Sequence, residues 1–153
     1  MTNSEKNIAN TRLLLEKAMP QQDYDLMRSL VREDAQITRA GFSDIYQLTG
    51  TDIPSSGNFI EWLEAGWKVL SSGLSDQTSE ATDVVASEDT VMIKFHMTAL
   101  HSSTFSKAEA TNRRVEWDEI GVLHFDENGK MTDMWFMCQE LSLIQQIGYQ
   151  VQK

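Results

Sequence analysis

The chain has few of the residues that cross-link, interrupt or anchor a polypeptide. A single cysteine, Cys138, stands among 153 residues, so no internal disulfide can form. A reduced thiol buried in an apolar segment is expected, which fits the cytoplasm. Pro20 and Pro54 are the only prolines, and both fall between segments of different character. No apolar run reaches about 18 residues, and the opening MTNSEKNIANTR is polar throughout. Neither membrane spanning nor a secretion signal is expected.

Basic residues are also scarce: 13 Lys and Arg against 23 Asp and Glu give a formal charge of −10. That balance argues against nucleic acid, whose phosphates need a basic patch, and against anionic membrane surfaces. Small neutral or cationic partners fit better. The three histidines and the cysteine show no spacing of metal ligands, and no Gly-rich loop precedes a helix. Neither a metal nor a nucleotide cofactor is expected.

What remains is about 41% apolar, enough for one core, so residues 1–153 are read as a single domain. Ile8, Leu14, Leu15, Ala18 and Met19 recur at helical spacing, which predicts a helix over 4–19 with Asn3 or Ser4 as its cap. A second helix is expected from Asp23, ending between Arg32 and Asp34, with Met27, Leu30 and Val31 on one stripe. Residues 35–50 have no clean period and read as a strand fragment and loop. A third helix over 58–70 carries Phe59, Trp62, Leu63, Trp67 and Leu70 on one side, starting at Ser56 or Gly57.

From Gln77 the pattern changes to alternation. Strands are predicted over 78–87, 91–101, 115–125 and from Met131 to Gln139. Asn128-Gly129 makes a turn between the last two. Val91, Ile93, Phe95, Met97, Ala99 and His101 share one face of the second of these strands. In the last strand Trp135, Met137 and Gln139 share a face, against which a pocket is expected, and Met134, Phe136 and Cys138 take the other. A short helix ended by Gly148 closes the chain. Three helices followed by four strands and a helix give an α+β fold, a curved antiparallel sheet covered on one face by the helices. Such a sheet would form a cone with a central cavity.

Several local segments then carry a resemblance: Gly57 with the helix after it, Leu74-Ser75-Asp76, Ala99-Leu100-His101, and Ala110-Thr111-Asn112-Arg113. Gly129-Lys130-Met131, Trp135 and Gln145-Gln146-Ile147-Gly148 continue it. In order and spacing, residues 57–148 resemble the SnoaL-like polyketide cyclase family of the nuclear-transport-factor-2-like fold. The resemblance implies chemistry without a cofactor on a hydrophobic carbonyl-containing or polycyclic substrate: cyclisation, isomerisation, or addition or loss of water. It also implies a homodimer formed through the sheet. In the family's cyclases a catalytic aspartate lies four residues after the tryptophan of the last strand, and this chain has Gln139 there. An amide can polarise an oxygen but cannot exchange a proton near neutral pH.

The candidate catalytic residues are therefore His101 for proton transfer, Gln139 as an oxyanion donor and Asp76 to orient His101. Each has a plainer role open to it: a loop-bonded histidine, a structural amide, and an aspartate capping backbone at a turn. Trp62, Trp67, Phe95, Met97, Trp135 and Met137 are the candidate ligand walls. Asp118 has an ambiguous phase, and His96 and His124 are expected at the surface or an interface. The alternative is a binding or interaction module of the same fold that has lost the acid. An epoxide-hydrolase-like or ketosteroid-isomerase-like enzyme would need inward carboxylates, for which only Asp118 is a candidate.

Overall fold

In the computed structural model, which describes residues 1–153, the chain opens on α1 (Asn3–Arg12). Thr2 caps it: its hydroxyl accepts the Glu5 N–H, and the Glu5 carboxylate accepts the Thr2 N–H. The start falls at Thr2, just before the expected Asn3 or Ser4, because Thr2 and Glu5 have the reciprocal capping-box spacing. A π-helical turn, Leu13–Ala18, carries the helix toward Pro20. Asp23 caps α2 (Tyr24–Leu30), and β1 (Val31–Ala40) follows without a break. Then come α3 (Ile45–Leu48), β2 (Ser56–Asn58), and α4 (Phe59–Trp62), which passes through the π-helical turn Leu63–Trp67 into α5 (Lys68–Gly73). The long strands are β3 (Leu74–Ser87), β4 (Thr90–His101), β5 (Arg114–Phe125) and β6 (Met131–Cys138), and α6 (Glu140–Gln146) ends the fold.

The six strands form one mixed sheet in the order β2-β1-β6-β5-β4-β3, open at both edges and not closed into a barrel. β3 to β6 make the expected antiparallel meander. Gly129, at φ +76°, turns the β5-β6 hairpin, where Asp126 accepts the N–H groups of Asn128 and Lys130. β1 is the addition: it lies parallel to β6, with Ile37 opposite Met134 and Arg39 opposite Phe136. This pairing corrects the second-helix boundary, and it extends the strand fragment expected within 35–50 back to Val31, while Ile45–Leu48 is helical where loop was expected. Val31 continues the helical stripe locally, but a ladder to a strand a hundred residues away claims it, and local periodicity cannot register such a partner.

One core joins the two layers. Leu14, Met27, Phe59 and Leu63 from the helices meet Ile93, Trp117, Leu123 and Met131 from the sheet, all nearly fully buried. On β4 the buried residues are Val91, Ile93, Phe95, Met97, Ala99 and His101, in the phase expected. On β6 the phase is reversed from expectation. Met134 and Phe136 are buried, while Trp135 and Met137 are each 40% exposed on the outer face. Both faces of β6 are apolar, so alternation fixes the period and leaves the side undecided.

Candidate functional site

The inner face of the sheet and the helices enclose a narrow cavity of about 30 Å³. Trp62 and Trp67 wall it from the helical layer, Phe95 and Met97 from β4, Trp117 from β5, and Met134 and Phe136 from β6. The indole of Trp62 donates to the Pro54 carbonyl at 3.1 Å and that of Trp67 to the Met19 carbonyl at 3.1 Å, so both rings are fixed. Trp62 also meets Phe136 edge-on, with ring centroids 6.1 Å apart. At this volume the cavity holds water-sized molecules, and a larger guest needs wall side chains to move. Met19, Met97 and Met134 are the most flexible of the apolar wall residues.

One end of this apolar space is polar. Arg39 enters from β1, Tyr46 from α3, Glu119 from β5 and Cys138 from β6, and all four line the cavity. Strand geometry accounts for three of them. Arg39 shares the inward phase of Ala35 and Ile37, Glu119 that of Trp117 and Gly121, and Cys138 that of Met134 and Phe136. Glu119 and Cys138 are direct cross-strand partners. The inward phase of β6 then carries one step further to Glu140, the first residue of α6, which is 1% exposed and lies behind the cavity wall against Arg39.

Electrostatics bind these groups together. Arg39 Nη2 lies 3.6 Å from Glu140 Oε1, and the Arg39 guanidinium sits over the Tyr46 ring at 4.9 Å and beside Phe136 at 5.9 Å. Arg39 Nη1 and both carboxyl oxygens of Glu140 have no hydrogen-bond partner. Burial pushes the Glu140 carboxyl up to about 7, against the pull of Arg39 and of its own backbone N–H, which lies nearby without the geometry of a hydrogen bond. Glu119 is raised too, chiefly by burial. Its Oε1 accepts the Trp117 indole N–H at 2.8 Å, and that bond, the Cys138 thiol and Arg39 favour its charged form. Burial also raises the Cys138 thiol and the Tyr46 phenol well above their ordinary values, so both are neutral at pH 7.

The residues singled out from sequence fall in three places. Trp62, Trp67, Phe95 and Met97 stand in the cavity wall, and Trp135 and Met137 are corrected to the outer face. Gln139 is exposed and extends the β5-β6 ladder: its Oε1 accepts the Asp118 N–H at 2.9 Å. It points away from the cavity because it shares the phase of Trp135. His101 is buried, but its Nδ1 lies 3.1 Å from the Thr111 hydroxyl and accepts the Thr111 N–H at 3.2 Å, pinning the loop after β4. Burial lowers its pKa, and the ring is neutral with its proton on Nε2.

Asp76 does not orient His101. Its carboxylate accepts from Arg114 Nη1 at 2.7 Å on the exposed side of β3. Asp118 lies on the outer face, 2.8 Å from His96 Nδ1, a contact that raises the His96 pKa, and His124 pairs with Asp133 at 2.7 Å on the same face. The structure thus brings together Arg39, Tyr46, Glu119, Cys138 and Glu140, of which sequence reasoning named none as a site residue. One signal was present: a glutamate in the apolar phase of β5, between Trp117 and Gly121, is the kind of buried charge that marks a site.

A mixed sheet over helices thus encloses an apolar cavity with Arg39 and Glu119 in its wall and Glu140 behind Arg39. A family model described as SnoaL-like polyketide cyclase matches residues 11–147, and the chain belongs to that family. The fold is shared with solved structures of low sequence identity. A protein of Jannaschia sp. CCS1, provisionally assigned as a SnoaL-like polyketide cyclase, is 15% identical, with a TM-score of 0.78 over 97% of this chain and 95% of that one. IdmH of Streptomyces antibioticus, provisionally assigned as a polyketide cyclase, is 22% identical, with a TM-score of 0.74 over 95% and 98%. AclR of Streptomyces galilaeus, provisionally assigned as a hydroxylase, is 19% identical, with a TM-score of 0.71 over 95% and 97%. Comparison with curated protein sequences gave no match. No helix is long and apolar enough to cross a membrane.

Proposed function

We propose that the protein is a cofactor-independent enzyme that moves a proton on a hydrophobic carbonyl-containing substrate, in a cyclisation, an isomerisation, or the addition or loss of water. Glu119 is the group that takes and returns the proton. The observation that carries this reading is its place: a carboxylate on the wall of an apolar cavity, with its pKa raised by burial and Arg39 among the neighbouring wall residues. A raised carboxylate works as base and acid closer to neutral pH than a solvated one does. Trp117 fixes one oxygen and leaves the other for the substrate. Arg39 stabilises the oxygen on which charge develops as the C–H proton leaves, and the aromatic walls exclude water.

Family membership and the assignments of IdmH and the Jannaschia protein support the reaction class. The test is hydrogen–deuterium exchange at the α-carbon of 2-tetralone, a bicyclic enolisable ketone, followed by NMR in D2O. Exchange accelerated over buffer supports the enzyme. Binding of the ketone without acceleration supports the second reading, a ligand-binding module, which Gln139 favours: its amide is committed to the strand ladder.

A homodimer through the outer sheet face belongs to the same proposal. Met92, Ile120, Trp135 and Met137 are each 40 to 50% exposed on that face, and burying such a patch against its own copy is the usual solution. Light scattering at micromolar concentration tests it, and a monomer contradicts it.

A further inference from the structure

The geometry points to an oxyanion subsite at Arg39 Nη1, controlled by protonation of Glu140 behind it, through which the cavity takes apolar ligands bearing a negative oxygen such as a carboxylate, phenolate or enolate. The inference rests on the reading of the cavity as a small-molecule site and specifies what that site selects.

Arg39 is the only cation lining the cavity, its side chain is 4% exposed, and Nη1 has no acceptor. A buried guanidinium N–H without a partner is costly, and a ligand oxygen is the acceptor the cavity can admit. The Tyr46 and Phe136 rings lie 4.9 and 5.9 Å from the guanidinium carbon and offer it no hydrogen-bond acceptor, so Nη1 stays available to a ligand oxygen. Recognition is local, since the protein as a whole carries a charge of −10.

Charge counting then ties binding to a proton. Glu140 is faced by Arg39 from β1, Glu119 from β5, the neutral Cys138 thiol from β6 and the neutral Tyr46 phenol from α3. Glu119 and Glu140 already share one guanidinium, and a ligand oxyanion makes three negative groups for one positive in a buried space. One of them takes up a proton from solvent. The Trp117 indole favours the charged form of Glu119, whereas the Glu140 oxygens accept no hydrogen bond, so the proton goes to a Glu140 oxygen. The balance is one ligand anion and one proton bound together, with no other bond made or broken. With Glu140 neutral, Arg39 is free for the ligand; with Glu140 ionised, Arg39 is drawn back to it.

Isothermal titration calorimetry of the whole protein with 2-naphthoate, anionic throughout the range used, and with its neutral counterpart 2-naphthamide tests this at pH 6, 7 and 8. Buffers of different ionisation heat report the protons taken up. We expect naphthoate to bind with uptake of close to one proton at pH 8 and to weaken about fivefold from pH 7 to 8, while naphthamide stays flat. Glu140→Gln should bind naphthoate with no uptake, and Arg39→Met should lose naphthoate while keeping naphthamide. Naphthoate binding to the wild type without proton uptake overturns the inference, with no variant required, and naphthamide binding then leaves the cavity reading standing. Failure of both ligands to bind the wild type overturns the cavity reading as well.

Discussion

Arg39 Nη2 and Glu140 Oε1 lie 3.6 Å apart with both side chains almost wholly buried, one at the end of a strand and the other at the start of the last helix. A close, fully hydrogen-bonded pair would offset its own desolvation better. This one leaves a guanidinium nitrogen and two carboxyl oxygens without partners. Stability is thereby forgone where a ligand would be bound, which is the pattern expected of a functional site and not of a structural ion pair.

Stability should carry the mark of Glu140. Its pKa of about 7 lies above that of an unfolded glutamate, so the native state holds a proton that the unfolded chain has lost. The contribution is favourable at low pH and is lost as pH rises from the ordinary carboxylate range to about 7. The full span is about 3 kcal/mol for a shift of this size. In urea melts at pH 5, 6, 7 and 8, wild type should lose stability relative to Glu140→Gln by about that amount as pH rises. A difference that stays constant with pH would show that Glu140 is ionised throughout.

His101 should act with the opposite sign. Its ring is held neutral by burial, so below about pH 6.5 the unfolded chain binds a proton that the native ring resists, and stability falls with pH. His101→Gln removes that dependence and unpins the loop after β4. The expected cost at pH 7 is about 2 kcal/mol, with faster amide exchange at Thr111 and Asn112. Protection of those amides unchanged in the variant would show that the loop is held by other contacts.

Removing Arg39 should be costlier at high pH than at low. Arg39→Met leaves Glu119 and Glu140 buried without a cation, at a cost of about 3 kcal/mol near pH 8, whereas near pH 5 Glu140 is protonated and its share of that cost disappears. Thermal melts across this range check it. A loss independent of pH would point to packing against Tyr46 and Phe136 as the role of Arg39.

Most of the fold was legible in the sequence because period carries it. The β4 phase, the hairpin at Asn128-Gly129 and the apolar stripe from Phe59 to Leu70 all follow from side-chain spacing. What was not legible depends on distant partners. β1 is a strand because β6 lies beside it, and Arg39 becomes a site residue only once β1 is placed. The side of β6 that faces inward was undecided because apolar residues occupy both phases, so the candidate site was laid on the Trp135, Met137 and Gln139 side. The polar cluster stands on the other. Glu119 was the one visible anomaly, a charge in an apolar phase, and it belongs to the cavity.

The most direct test of the account sets Glu119 against Gln139 in the 2-tetralone exchange assay. Glu119→Gln keeps the shape and the indole bond but cannot hold a proton, and exchange should fall at least about a hundredfold. Gln139→Asp, which adds a carboxylate on the far side of β6, should stay within about twofold of wild type, since proton transfer needs hydrogen-bond reach. Exchange surviving in Glu119→Gln and rising in Gln139→Asp would contradict the account and place the chemistry on the outer face.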